Sequence, residues 1–385
     1  MMDGYEMLKK EEVNLRVCVV FGTRPEAVKL WSVVKELRDR KVATLVVCTG
    51  QHDELLKDVT RVLDLRVDVD FCLMRAGQSP SDVAAGVLRR LPETLRQFNA
   101  NWLIVQGDTT TTAAGALAGF LTGVKVAHVE AGLRTGDLRR PFPEEGNRRI
   151  VSAVATLHFA PTQHAAQNLL AEGVPKTRVL VTGNTVVDAL ETVRSRFLRD
   201  TALKKEILQR HPYLADGPYV LVTVHRRESF GEPMRRIFGA LLDLAAEFRQ
   251  LHFVYPVHPN PNVRQAAEML RDHPRILLTE PMDYASFLYA MSEAQLIMSD
   301  SGGVQEEAPT FRVPVVVLRD VTERSEALES GWALLGTTDR ERIKDAVRQI
   351  MQEQWRRPNT PNPFGDGKAA QRIVDAILRS AQDAV

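Results

Sequence analysis

Residues 105–149 read VQGDTTTTAAGALAGFLTGVKVAHVEAGLRTGDLRRPFPEEGNRR. This stretch places acids where buried segments meet loops. Asp108 follows the apolar run Trp102-Leu103-Ile104-Val105, and Glu130 follows Val124-Lys125-Val126-Ala127-His128-Val129. Glu144 and Glu145 follow a Pro-Phe-Pro turn. Apolar runs of this length, separated by the helix-like residues 113–121, read as parallel strands joined by a crossover helix. In such sheets ligands bind beyond the carboxyl ends of the strands, where Asp108 and Glu130 both fall. Asp is also a good helix N-cap, so Asp108 alone reads equally well as a cap for the following helix. Two strand-end acids together with a Pro-flanked Glu pair point instead to a cleft.

Working outward, strand and helix signals alternate along the whole chain. Residues 16–21 read as a strand and 25–40 as a helix; residues 44–48 form a second strand. A helix is expected over 52–63. Residues 81–98 form an amphipathic helix with Pro92 as a break. Beyond the central stretch come a helix over 145–156, a strand over 157–160, a helix over 163–172 and a strand over 179–182. Residues 184–216 are charged, helical and then broken by His211-Pro212 and Gly217-Pro218. The pattern then restarts, with strand signals at 219–224, 252–256, 276–279, 295–298 and 313–318. The expected fold is α/β, with two doubly wound domains over residues 1–185 and 186–365. A last helix, within 366–385, is expected to pack back on the first domain.

The chain has 385 residues, more than a usual single core. Hydrophobic residues make up 44% and charged residues 26%, as in a soluble globular protein. A net charge of +1 offers no bulk attraction to nucleic acid or to an anionic membrane. Cys18, Cys48 and Cys72 form no CxxC and lie in or beside apolar runs, so they read as reduced packing residues of a cytosolic protein. The first residues, MMDGYEMLKKEEVN, have no apolar core and do not read as a signal peptide.

Three turns carry phosphate-like chemistry. Phe21-Gly22-Thr23-Arg24-Pro25-Glu26 joins the first strand to the first helix, where backbone N–H groups and the helix dipole favour an anion, with Arg24 and Lys29 adding charge; taken alone it reads rather as an ordinary tight turn with exposed basic residues. His225-Arg226-Arg227 ends the first strand of the second domain in the equivalent place. Asp300-Ser301-Gly302-Gly303 opens a helix whose glycines admit close backbone approach, with Glu307 placed to accept from two ribose hydroxyls. Glu306 and Glu307 read alternatively as stabilisers of that helix N-terminus. There is no GxGxxG and no GxxxxGK[ST], so no dinucleotide or P-loop cofactor is expected. Asp68-Val69-Asp70 reads as a solvated strand face. His252 and His258 flank a strand without a ligand set, so no metal is expected.

Taken in order, GTRPEA, TGQH, QGDTTTT, HVEAGLRTGD, PFPEEGNR, VTGNTVVD, HRRESFGEP, DSGGVQEEAP, TERSEALESG and NPFGDGKA resemble the non-hydrolysing UDP-N-acetylglucosamine 2-epimerases over nearly all of residues 16–378. The resemblance implies a two-domain glycosyltransferase-B-type fold with UDP-sugar as ligand in the cleft and the second domain binding the UDP. It implies reversible conversion of UDP-GlcNAc to UDP-ManNAc without cofactor or metal. It also implies a cytoplasmic homodimer serving cell-surface polysaccharide synthesis. The family's catalytic residues match Asp108, Glu130, Glu144 and His225. Its substrate contacts match Arg24, Lys29, His258, Phe287, Ser301, Gly302, Gly303, Glu307 and Arg324. Gln51, His52 and Arg226 match an allosteric activator site, which Glu54 and Gly77 are expected to impair, standing where Gln and Arg are common. Leu30-Trp31-Ser32, Met282 and Ser325 also depart from the usual pattern.

The residue types suit the chemistry. C2 of the sugar has no adjacent carbonyl, so its proton is removed by eliminating UDP to a 2-acetamidoglucal and adding UDP back. That requires a base, an acid and cations for the departing diphosphate. The rivals are a hydrolysing relative that releases ManNAc and UDP, an epimerase of a modified UDP-sugar such as a uronate, a glycosyltransferase, and a sugar-nucleotide sensor. Lacking a metal-ligand set or dinucleotide fingerprint, the chain is expected to turn over UDP-GlcNAc after exhaustive chelation and without added NAD. Activity lost to EDTA and restored by a divalent ion would contradict this.

Overall fold

The computed structural model describes residues 15–50, 63–73, 75, 77–352 and 358–382. Within these, the chain forms two parallel sheets. The first contains β1 (Arg16–Phe21), β2 (Ala43–Cys48), β3 (Val69–Asp70), β4 (Trp102–Gln106), β5 (Lys125–Val129), β6 (Leu157–Ala160) and β7 (Val179–Val181). Their spatial order is β3-β2-β1-β4-β5-β6-β7. The second contains β8 (Tyr219–Thr223), β9 (His252–Pro256), β10 (Ile276–Thr279), β11 (Leu296–Ser299), β12 (Val315–Val317) and β13 (Ala333–Leu335), in the order β10-β9-β8-β11-β12-β13. Each order reverses once, between β1 and β4 and between β8 and β11. Such reversals leave a crevice at the carboxyl ends of the strands.

The first sheet is flanked by α1 (Arg24–Asp39), α2 (Pro80–Phe98), α3 (Thr110–Leu121), α4 (Glu144–Val154) and α5 (Gln163–Ala171). Next come α6 (Thr185–Arg199) and α7 (Thr201–Arg210). The second half adds α8 (Glu232–Glu247), α9 (Pro261–Ala267), α10 (Tyr284–Glu293), α11 (Gly302–Glu307), α12 (Ser325–Glu329), α13 (Arg340–Met351) and α14 (Ala369–Gln382).

Burial on both faces explains the apolar runs: all five residues of β4 are buried, as are all five of β8. Helix α3 lies close on its sheet because it is built of small residues. A Cβ at Gly119 would stand 2.8 Å from Val126 and 2.9 Å from Leu103. Pro92 does not break α2, which runs on to Phe98; burial of Leu91 and Leu95 beside it offsets the hydrogen bond the ring removes. Cys18 and Cys48 are buried, and burial pushes their thiols up to about 12, but Cys72 is exposed and does no packing. Strand β13 and helix α13 were not apparent from the sequence pattern. The helix expected over 52–63 lies almost wholly outside the described residues.

Helix α14 returns from the end of the chain to pack on α1 and α6. Asp188 on α6 accepts from the backbone N–H of Ala369 at 3.2 Å and Ala370 at 2.9 Å, so a side chain 181 residues upstream caps α14. Arg40, at the end of α1, pairs with Asp375 on α14. Asp188→Ala is expected to lower stability by roughly 0.5–2 kcal/mol, the usual loss of a carboxylate cap, with Asp188→Asn milder. Chemical denaturation of both variants checks it; an unchanged midpoint in Asp188→Ala would show that the cap contributes nothing.

Candidate active site in the interdomain cleft

The turn after β1 is set by Glu26, which is 2% exposed. Its carboxylate accepts from Gly22 N at 3.1 Å, from Thr23 N and Thr23 Oγ1 at 2.8 Å each, from Thr109 Oγ1 at 2.8 Å and from Thr112 Oγ1 at 3.0 Å. Thr23 and Glu26 form a capping box for α1. Burial pushes the Glu26 carboxyl up, against these donors. One carboxylate thus ties the turn bearing Arg24 to the turn bearing Asp108.

The two strand-end acids, Asp108 and Glu130, and the helix-start Glu144 are held differently. Asp108 does not cap α3, because Thr109 takes that place and accepts from Thr112 N at 3.1 Å. Asp108 instead receives Arg148 Nε at 2.9 Å and Nη2 at 2.7 Å, while its carbonyl accepts from Asn147 Nδ2 at 2.8 Å. Arg148 and Asn147 belong to α4, which Glu144 begins, so Asp108 and Glu144 are brought to one corner. Glu144 Oε2 is buried with no hydrogen-bond partner among the described residues. Beneath Asp108, Gly107 adopts φ +74° and its carbonyl accepts from His128 Nε2 at 2.8 Å. Burial pulls His128 down to about 3, so the ring is neutral.

Glu130 follows β5 with φ +64°, a left-handed backbone that a non-glycine residue keeps only where its surroundings hold it. Both its oxygens receive Lys29 Nζ at 2.7 Å, and Gln106 Nε2 also donates to it. Lys29 reaches Glu306 Oε2 at 3.3 Å as well. Glu306 lies on α11 of the second half, where Arg324 Nε meets its Oε1 at 3.0 Å. Neither Glu306 nor Glu307 stabilises the start of α11, whose first turn holds no acidic residue. Burial works against the charge on Lys29, but Glu130 and Glu306 outweigh it and hold the ammonium above its usual range. Glu130 is pushed up by burial, offset only partly by a lysine it shares. Glu306 is also penalised by burial, yet Lys29 and Arg324 bring it below its usual range.

On the facing edge, the turn after β8 hangs on Asp300, which is fully buried. Asp300 accepts from His225 N at 3.1 and 3.0 Å, Arg226 N at 2.9 Å and Ser229 Oγ at 2.9 Å. The His225 ring stacks on His258, with centroids 5.4 Å apart and planes 20° apart. Burial lowers the His225 pKa despite Asp300, with His258, Arg226 and Arg24 adding to the fall. His225 Nδ1 lies 3.8 Å from Asp300 Oδ1, which leaves Nε2 as the ring nitrogen turned away from that carboxylate. His258 Nδ1 accepts from Asn260 N at 3.1 Å.

Ser301 is the N-cap residue of α11 and makes no side-chain cap bond. A Cβ at Gly302 would stand 2.9 Å from Arg324 Cζ, so glycine there is what lets the guanidinium lie against the chain. A Cβ at Gly303 would stand 3.7 Å from Glu307 Oε1. Burial, then Glu306, pushes Glu307 up to about 7, with Lys29 and Arg24 opposing. Phe287 is partly buried against the core. Tyr284, which also feels Glu307 and Arg24, is buried with an unpartnered hydroxyl.

The structure thus gathers Lys29, Glu130 and Arg324 into one cluster and Asp108 with Glu144 into another. His225, His258 and Arg226 group on the facing turn. Gln51 and His52 lie outside the described residues. Sequence reasoning missed Glu26, Arg148, Asp300 and Glu306 as site residues. The T-x-x-E spacing of Thr23 and Glu26 was a readable signal for the first. Asp68 is less solvated than expected: it pairs with Arg38 at 3.1 Å and accepts from Val46 N at 2.9 Å. Among the described residues there is no group of three His, Cys, Asp or Glu able to hold a metal ion. Nor is any helix long and apolar enough to cross a membrane.

Residues 35–378 match the family model described as UDP-N-acetylglucosamine 2-epimerase. The UDP-N-acetylglucosamine 2-epimerase of Yersinia pestis is 44% identical over 369 residues, covering 94% of this chain and 98% of that protein. The crystal structure of UDP-GlcNAc 2-epimerase from Neisseria meningitidis bound to UDP-GlcNAc superposes with a TM-score of 0.89 at 40% identity, covering 95% of this chain and 100% of that one. The Methanocaldococcus jannaschii UDP-GlcNAc 2-epimerase in complex with UDP-GlcNAc and UDP gives 0.82 at 30% identity, with the same coverage. Two parallel α/β sheets facing one cleft, of the glycosyltransferase-B type, carry these residues, and the chain belongs to the UDP-N-acetylglucosamine 2-epimerase family.

Proposed function

We propose that the chain interconverts UDP-GlcNAc and UDP-ManNAc by elimination and re-addition of UDP. The observation that carries this reading is the meeting of strand-end acids from one sheet with cations and a glycine turn from the other, where Lys29 touches both Glu130 and Glu306. A carboxylate takes the C2 proton. The C2–H electron pair forms the C1=C2 bond, and the C1–O pair departs with UDP, leaving 2-acetamidoglucal. UDP oxygen then re-forms the C1–O bond, and a carboxylic acid returns a proton to the opposite face of C2. Asp108, Glu130 and Glu144 supply the carboxyl groups. Arg24, Lys29 and Arg324 balance the charge growing on the diphosphate, and neutral His225 donates to its oxygen. His258, Phe287, Ser301, Gly302, Gly303 and Glu307 hold the nucleotide. Assembly as a cytoplasmic homodimer belongs to the same reading.

In deuterated water, product UDP-ManNAc is expected to carry deuterium at C2, read by proton NMR. Full retention of the C2 proton would overturn the elimination, and accumulation of free ManNAc with UDP would replace epimerisation by hydrolysis.

Asp108→Asn, Glu130→Gln and Glu144→Gln are each expected to lower turnover by about 10²–10⁴ while UDP binding changes far less, since each removes a proton donor or acceptor at nearly constant shape. Turnover and UDP affinity are measured on the same folded samples. Full activity in Asp108→Asn would remove Asp108 from the catalytic set.

A further inference from the structure

Glu306 takes no part in the steps above, yet two cations of the cleft, Lys29 and Arg324, converge on it. It is 2% exposed and comes from the opposite half of the molecule to Lys29 and Glu130. Its Oε2 accepts from Lys29 Nζ at 3.3 Å and Asn184 Nδ2 at 3.2 Å; its Oε1 accepts from Arg324 Nε at 3.0 Å. Each cation has a second carboxylate on its far side. Lys29 has Glu130, with both oxygens at 2.7 Å, and Arg324 has Glu323. Glu306 is the carboxylate that both cations share, and without it the Lys29 ammonium and the Arg324 guanidinium repel each other with no common anion to hold them together.

We propose that Glu306 is a positioning residue that holds Lys29 and Arg324 together for the diphosphate of a UDP-sugar. This rests on the UDP-sugar reading given above. An anion beside a diphosphate site would by charge alone repel the ligand. Its net effect on binding therefore has opposite signs under the two accounts. As a bystander charge, Glu306 weakens UDP binding and its neutralisation tightens it. As a positioning residue, its neutralisation scatters the cations and weakens binding, because a glutamine amide turns donors toward groups that are themselves donors.

A second readout follows from the charged groups around Glu306. These are Lys29 on α1, Glu130 after β5, Arg324 with Glu323 behind it, and Glu307 on its own helix. The negative charge of Glu306 raises Glu130. Neutralising it therefore lowers the Glu130 pKa. Any limb of the kcat/KM profile set by Glu130 moves to lower pH, whether the reaction needs that group protonated or ionised. A purely structural role would move neither the limb nor UDP affinity per folded molecule.

The test is UDP binding by calorimetry, with pH profiles, on wild type, Glu306→Gln and Glu306→Asp. Glu306→Gln is expected to weaken UDP by about tenfold or more and to shift the limb downward. Glu306→Asp keeps the charge one methylene short and is expected to weaken UDP by less. Unchanged or tighter UDP binding in Glu306→Gln overturns the proposal. If Glu306→Gln does not fold, unchanged UDP affinity in Glu306→Asp overturns it instead, and weakened affinity supports it. Wild type that binds no UDP would sink the UDP-sugar reading itself.

Discussion

One lysine ammonium shared by two buried carboxylates, each from a different half of the chain, is the constraint on which the cleft depends. Lys29 meets Glu130 at the end of β5 and Glu306 on α11. Charges this far from water are tolerated only when paired and hydrogen-bonded, and removing one partner strands the other at a cost of about 3–5 kcal/mol. Where the two halves meet, Lys29 and Arg324 balance Glu130 and Glu306 charge for charge. Asn184 and Asn362 brace Glu306 from outside, one through its carboxylate and one through its carbonyl. Continuity of the apolar core from α1 through α6 to α10 completes the junction.

Beneath each turn of the cleft sits a buried polar group that faces no open space itself. Glu26 holds the turn of Arg24, neutral His128 holds Gly107 under Asp108, and Asp300 holds the turn of His225. Arg148 fixes Asp108 to the helix that Glu144 begins. The geometry of the exposed groups is thereby set by buried side chains that hydrogen-bond to the turns above them, which is how a polar site keeps one arrangement.

Much of this was readable from the residues. Parallel strands buried on both faces leave continuous apolar runs, and a strand-end acid is conspicuous after such a run, as Asp108 and Glu130 are. Roles that depend on what lies across space were not readable. Asp108 and a cap are indistinguishable until Thr109 is seen to accept from Thr112. Glu306 read equally well as a stabiliser of its helix N-terminus, because the sequence does not show that Lys29 reaches it from the other half. Short β13 escaped notice because a three-residue strand carries too little periodicity. Cys72 sits beside an apolar run yet faces outward, since proximity in sequence does not determine which side of the chain is covered.

Helix α14 has a consequence for how the protein is made. The surface of α1 and α6 that it covers belongs to the first half of the chain, but α14 is synthesised after every strand of the second sheet. At synthesis rates of about 5–20 residues per second, the nascent first half waits on the order of ten seconds or more for its missing helix. Throughout that interval the faces destined for Ile373, Val374 and Ile377 remain open, and Asp188 has nothing to cap. Completion of the first half therefore waits on synthesis of the second even though its own sheet is made early, and a nascent chain stalled short of residue 369 presents a greasy docking face to chaperones rather than a finished domain.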